Sequence, residues 1–84
     1  MLFIIDQLKY DTDKMELISC YYQYNYIKAE IKLFRSAKGY WLLTYSHHGS
    51  YYYATRLTKQ DAKNILLKHD YKTYERIFGE LEEA

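Results

Sequence analysis

His47 and His48 form the pair best suited to hold a metal. Neighbours on an extended chain point to opposite faces, so two such imidazoles converge only where a turn bends them together. No CxxC or HExxH accompanies them, and no third ligand stands at a usual spacing. The pair therefore reads as a solvated turn ahead of Gly49. Cys20 is the single cysteine. It lacks the flanking motif of a thiol nucleophile, cannot close an internal disulfide, and reads as a small buried hydrophobe in a reducing compartment. Asp11 and Asp13 flank Thr12 in a pattern that helix capping explains, and no calcium loop follows them. Glu80, Glu82 and Glu83 read as solvated residues near the C-terminus. Gly39, Gly49 and Gly79 are isolated, which excludes a glycine-rich phosphate loop. By residue type and spacing no catalytic set assembles: the chain reads as a non-enzyme with no metal and no cofactor.

What remains is a tyrosine-rich, locally basic middle. Tyr occurs 12 times in 84 residues. The net charge of +1 hides an asymmetry. Between residues 25 and 59, Lys28, Lys32, Arg35, Lys38, Arg56 and Lys59 face Glu30 alone, while both flanking stretches carry more acid than base. Near-neutrality overall excludes a strongly acidic DNA mimic and a strongly basic nonspecific nucleic-acid binder. From Tyr21 to Arg35 the residues alternate. Ile27, Ala29, Ile31 and Leu33 fall on one face; Tyr22, Tyr24, Tyr26, Lys28, Glu30, Lys32 and Phe34 fall on the other, as in a half-buried antiparallel strand. Tyr22, Tyr26, Lys28 and Lys32, with Arg35 and Lys38 at the hairpin end, are the candidate partner-binding residues. An exposed aromatic–basic face suits a protein partner, because Tyr and Arg are enriched at interface hot spots. It also suits single-stranded nucleic acid, whose bases stack on aromatic rings. The bland alternative is a face covered by a helix, with lysine heads reaching water.

Positioning that face requires the neighbouring elements. Leu2–Ile5 reads as a buried strand, and Asp6-Gln7 can turn the chain so that Leu8-Lys9-Tyr10 pairs back. Asp11-Thr12-Asp13 offers capping oxygens, and Met15 and Ile18 stand at helical spacing, predicting a short helix over residues 13–19. Ser36-Ala37-Lys38-Gly39 reads as a type I turn closed by a left-handed glycine. Pairing Ser36 with Tyr40 then sets Leu33 against Leu43, Ile31 against Tyr45 and Phe34 against Leu42. His47–Ser50 is a second turn, and Tyr51–Leu57 a further strand of undetermined register. Thr58 with Asp61 approximates a capping box for a helix whose Ala62, Ile65, Leu66 and His69 share a face. Asp70 or Thr73 starts a last helix striped by Tyr71, Tyr74, Ile77, Phe78 and Leu81.

The expectation is a single α+β domain over residues 1–84: an antiparallel sheet of about three to five strands, a short N-terminal helix and two C-terminal helices. No apolar run approaches the roughly 18 residues of a membrane span, and Met1–Asp6 lacks the basic flank of a signal peptide. A membrane partner is not expected.

Three segments carry a resemblance. They are Asp6–Ile18 (DQLKYDTDKMELI), Leu33–Leu43 (LFRSAKGYWLL) and Arg56–Lys63 (RLTKQDAK). Together they resemble small proteins of bacterial phages and mobile elements, a group that includes candidate anti-CRISPR proteins against type II effectors. Phe34 stands where that group has Tyr, and the Tyr21–Tyr26 stretch is particular to this chain. The resemblance implies a non-enzymatic inhibitor that binds and blocks a host RNA-guided nuclease in the bacterial cytoplasm. It would act as a monomer or homodimer with weak or absent binding to free nucleic acid. Near-neutral charge favours occlusion through aromatic anchors over mimicry of DNA in the effector's basic channel. The rival reading is a nucleic-acid-binding accessory protein using the same Tyr/Lys face, and a third is an immunity protein that neutralises a toxin.

Overall fold

The computed structural model describes every residue of the chain except Tyr26 and residues 48–50. Six strands and two helices follow in order: β1 (Leu2–Ile5), β2 (Leu8–Asp11), β3 (Glu16–Asn25), β4 (Ile27–Arg35), β5 (Trp41–His47), β6 (Tyr51–Leu57), α1 (Lys59–His69) and α2 (Tyr71–Phe78). β1 and β2 form a two-stranded sheet; β3 to β6 form a four-stranded antiparallel meander in sequence order.

The meander is apolar on both faces, so each face needs its own cover. On one side Ile18, Leu33 and Trp41 pack with Ala62, Leu66 and Tyr74 of the helices, joined by Ile77 and Phe78. On the other side Phe34 and Leu42 pack under Tyr10, with Phe3, Ile5 and Leu8 of the β1–β2 hairpin and Met15 beside them. Leu33 and Leu42 are both fully buried although they face opposite ways. Ala29 and Ile31 are buried as the alternation predicts. The side chain of Ile27 lies outside the described residues.

The short N-terminal helix is not present. Residues 16–19 belong to β3, and the fold has six strands in two sheets rather than one sheet of three to five. The cause is a β-bulge. The β3–β4 register steps between Leu17 and Ser19, and Ile18 and Ser19 are both buried. An extra residue breaks the period of two. Met15 joins the hairpin-side cluster and Ile18 the helix-side cluster: three residues apart, they take opposite faces, as strand residues an odd number apart do, and not the one face a helix would give them. Asp11 does not cap a helix: its carboxylate accepts the Asp13 N–H at 3.1 Å within a turn. The stretch from Tyr21 to Arg35 is likewise two strands rather than one.

Other local rules hold. Ser36 N–H donates to Tyr40 O at 2.8 Å, Gly39 takes φ +89°, and Leu33–Leu43, Ile31–Tyr45 and Phe34–Leu42 pair as read. Asp6 and Gln7 turn the first hairpin with φ of 51° and 65°, a left-handed pair made without glycine. Thr58 and Asp61 form a full capping box, and Asp70 caps α2 by accepting from Thr73 N–H.

A tyrosine-lined groove on the sheet

The β3–β4 hairpin folds the alternating stripe back on itself. Tyr22 lies opposite Glu30, Tyr24 opposite Lys28 and Cys20 opposite Lys32. On a single strand, residues 22 and 32 would stand about 33 Å apart; the hairpin makes them near neighbours. Because β5 and β6 continue the sheet, Lys32 is next to Thr44, and Glu30 to Ser46, which in turn faces Tyr52. The β1–β2 hairpin covers Phe34 and Leu42 but stops short of this end of the face. A groove of about 510 Å³ remains, walled on one side by Phe3, Thr12 and Asp13 and floored by Lys32, Thr44 and Ser46. Tyr22, Lys28, Glu30 and Tyr52 also line it.

Glu30 organises the groove. Tyr22 Oη donates to Glu30 Oε2 at 3.1 Å, and Lys32 Nζ lies 3.3 Å from Glu30 Oε1. Lys28 Nζ sits 4.3 Å from the Tyr22 ring centre and 6.0 Å from that of Tyr24, in cation–π range. The bond to Glu30, and then its negative charge, raise the Tyr22 hydroxyl above its usual pKa. Tyr22, Tyr24 and Tyr52 stay 50%, 72% and 48% exposed, large apolar area left uncovered on one face. The rings are held at one edge by the hairpin and at the other by the β5–β6 register.

The predicted residues separate into two groups. Tyr22, Lys28 and Lys32 meet in the groove. Arg35 is on the helix side of the sheet, where its guanidinium carbon lies 5.4 Å from the Trp41 ring centre and its Nη2 donates to Glu16 Oε1 at 3.0 Å. Lys38 is exposed in the Ser36–Gly39 turn, away from the groove. Tyr26 lies outside the described residues. The β4–β5 register already sets Thr44 beside Lys32 and Ser46 beside Glu30; Tyr52 was missed, since finding it needed the β5–β6 register, which the pairing of Trp41 with Leu57 fixes.

The other chemistry-bearing residues are placed as follows. Cys20 is exposed rather than buried. Partial burial, and then the Glu30 carboxylate against the opposing pull of Lys32, raise its thiol pKa, which disfavours the nucleophilic thiolate. His47 Nε2 and Tyr45 Oη are 2.6 Å apart on the helix side; His48 lies outside the described residues. Among the described residues no three His, Cys, Asp or Glu side chains gather as a metal site. No described helix is long and apolar enough to cross a membrane.

No protein family, curated protein or solved structure matches the chain.

Proposed function

We propose that this chain is a non-enzymatic binding protein that docks a protein partner on the tyrosine-lined groove. The observation that carries the reading is the grouping of half-exposed Tyr22 and Tyr52 around Lys28, Glu30 and Lys32, with the more exposed Tyr24 beside Lys28. Rigid aromatic rings with polar tips give large contact area at low entropic cost, the composition of interface anchors. The charges are matched to one another: Glu30 already engages Lys32 and Tyr22. Such a groove holds its own polar groups in place and leaves the rings to the partner.

The resemblance to phage and mobile-element proteins points to the partner, a host RNA-guided nuclease of the type II CRISPR class, blocked stoichiometrically in the bacterial cytoplasm. The test is a DNA-cleavage assay with purified type II effector and guide RNA, titrated with the chain, beside the double variant Tyr22→Ala/Tyr52→Ala. Inhibition at about one equivalent, lost in the variant, supports the reading. An effector untouched by excess wild-type chain removes that target, and capture of a different host protein that depends on the same tyrosines keeps the groove and replaces the partner.

A nucleic-acid platform is the second reading, favoured by Lys28 lying against two tyrosine rings. Salt dependence separates the two. The groove offers two lysines, so single-strand binding there has a log–log salt slope of at most roughly −1.4. Sub-micromolar binding to bare oligonucleotides that Tyr22→Ala abolishes would replace the protein-partner reading.

A further inference from the structure

The meander has two edges and they are not alike. β6 carries Arg56, whose guanidinium pairs with Asp6 of the β1–β2 turn at 3.0 Å, so a charge and a neighbouring hairpin guard that edge. β3, at the other edge, has β4 as its sole sheet neighbour among the described residues. From Leu17 to Asn25 it reads LISCYYQYN, without a charge or a proline. Soluble proteins normally blunt a free edge with lysine, proline, a bulge or a very short strand. Here the bulge lies at Leu17–Ser19, at the beginning of the strand, and leaves Ser19–Asn25 regularly paired on its inner side. The outer side of those residues presents about three or four pairs of unmet N–H and C=O groups.

We infer that this edge binds a second copy of the chain, β3 against β3 and antiparallel, with the two-fold axis at Tyr22, the midpoint of the regular segment. Self-pairing fits because the segment Leu17–Asn25 has no charge to set against its own copy, the strand's one acid, Glu16, lying outside it and pairing with Arg35; like charges placed opposite each other are what usually forbid such a pair. The axis sets Tyr22 opposite its symmetry mate, Cys20 opposite Tyr24 of the partner subunit, and Tyr21 opposite Gln23 of the partner subunit. Aromatic cross-strand pairs of this kind stabilise a sheet. A two-fold axis normal to the sheet preserves its faces. The eight-stranded dimer therefore carries both grooves on one side and all four helices on the other. Tyr24 of the partner subunit comes to lie beside Cys20, next to Lys32, and so adds a ring to the rim of each groove. The dimer does not depend on what the groove binds.

Sedimentation equilibrium over a concentration series should show a species of twice the 10.3 kDa protomer mass. Gln23→Lys puts a charge on the edge, on the side away from the groove, and should weaken the dimer by about tenfold or more while circular dichroism stays unchanged. A second measurement covers the case in which that variant misfolds. With Cys20 replaced by Ser, a cysteine placed by Tyr22→Cys should link two copies under mild oxidant, because directly opposed Cα atoms fall within disulfide range. In the wild-type chain, the two Cys20 residues would stand about 14 Å apart along the strands and should not link. A monomer at every concentration overturns the inference. So does efficient linkage through Cys20 without linkage at position 22, or a dimer that Gln23→Lys leaves intact. Because Gln23→Lys spares the groove lining, its monomer still tests partner binding by itself.

Discussion

Ser19 Oγ donates to Asp70 Oδ2 at 2.6 Å, tying the helix-facing side of β3 to the N-cap of α2 across 51 residues of chain. Thr73 Oγ1 donates to the same oxygen at 2.6 Å, and Thr73 N–H to the other carboxylate oxygen at 3.3 Å. Ser19 is only 7% exposed, so the bond also satisfies a hydroxyl with little access to water. One carboxylate thus caps a helix and pins it to the sheet.

Removing that carboxylate should be costly for a residue near the surface. Asp70→Ala loses an N-cap, about 0.5–2 kcal/mol, and orphans the Ser19 hydroxyl, about 1–3 kcal/mol. Urea denaturation should show a loss of about 2–4 kcal/mol. Asp70→Asn keeps one acceptor oxygen, which can still take the Ser19 and Thr73 hydroxyls, but sets an NH2 against the Thr73 N–H; it should lose less than Asp70→Ala.

The same contact fixes a pH dependence. The hydrogen bonds from Ser19 and Thr73 hold the Asp70 carboxyl below its usual pKa. A depressed folded-state pKa means that the unfolded chain binds the proton more readily. The contribution is therefore complete above the unfolded value of about 3.9 and is lost as pH falls through the lower folded value. Melting temperatures taken from pH 6 downward should fall below about pH 4, and Asp70→Asn should flatten that part of the decline.

The N-terminal hairpin contains a group whose removal should help. Tyr10 Oη is buried and has no hydrogen-bond partner among the described residues. Its ring packs with Phe34 and Leu42 and meets Tyr40 edge-on at 6.3 Å. Tyr10→Phe keeps the packing and deletes the orphaned hydroxyl, so stability should be unchanged or higher by up to about 1–3 kcal/mol. Leu42→Ala beneath it should cost about 2–5 kcal/mol. A small Leu42→Ala effect would mean that the hairpin does not close a second core.

The first turn offers a second stabilising change. Gln7 holds φ 65°, a conformation that costs an ordinary residue roughly 1–2 kcal/mol and glycine almost nothing. Gln7→Gly produces the favoured Asp-Gly hairpin turn and should raise stability by about 0.5–1 kcal/mol after the added entropy of the unfolded chain. Gly39→Ala is the converse. Its φ is +89° and no atom lies within 4 Å of the new methyl, so any loss measured there is backbone strain alone.

Charge reversal should separate the two faces of the sheet. Lys28→Glu places a second acid beside Glu30 in the groove and should weaken partner capture by tenfold or more, about 1.4 kcal/mol. Arg35→Glu acts on the helix side, next to Glu16 and Trp41, and should lower stability while sparing partner affinity. Titration calorimetry with the captured partner distinguishes the two outcomes.

Where a local rule had a specific residue to act through, the sequence was readable. The left-handed Gly39 fixed the β4–β5 register, and Thr58 with Asp61 fixed the start of α1. The Asp6-Gln7 turn was legible in outline, although neither residue is the usual choice. The reversal between β3 and β4, which pairs Asn25 with Ile27, was not legible, because residues 21–35 contain no glycine or proline and the alternation runs through them unbroken. The bulge at Leu17–Ser19 was also hidden, since the inserted residue buries neighbouring Ile18 and Ser19 together and breaks the alternation that would mark the start of β3. Half of the groove followed from the stripe itself: Tyr22, Lys28 and Lys32. Thr44 and Ser46 follow from the β4–β5 register that Gly39 sets, whereas Tyr52 came from a strand whose register no turn residue announced. Cys20 was misassigned because its burial depended on that same unseen hairpin.

The meander joins each strand to the next in sequence, so its ladders can close one after another over short loops, each with a small entropic barrier. The Ser19–Asp70 tie and the docking of the first hairpin join distant parts of the chain and belong to the end of that process. Weakening them should leave the folding rate nearly unchanged and speed unfolding, whereas damage at the β4–β5 turn should slow folding itself. The protein's lifetime against proteolysis would then be set by its caps, and its speed of assembly by its turns.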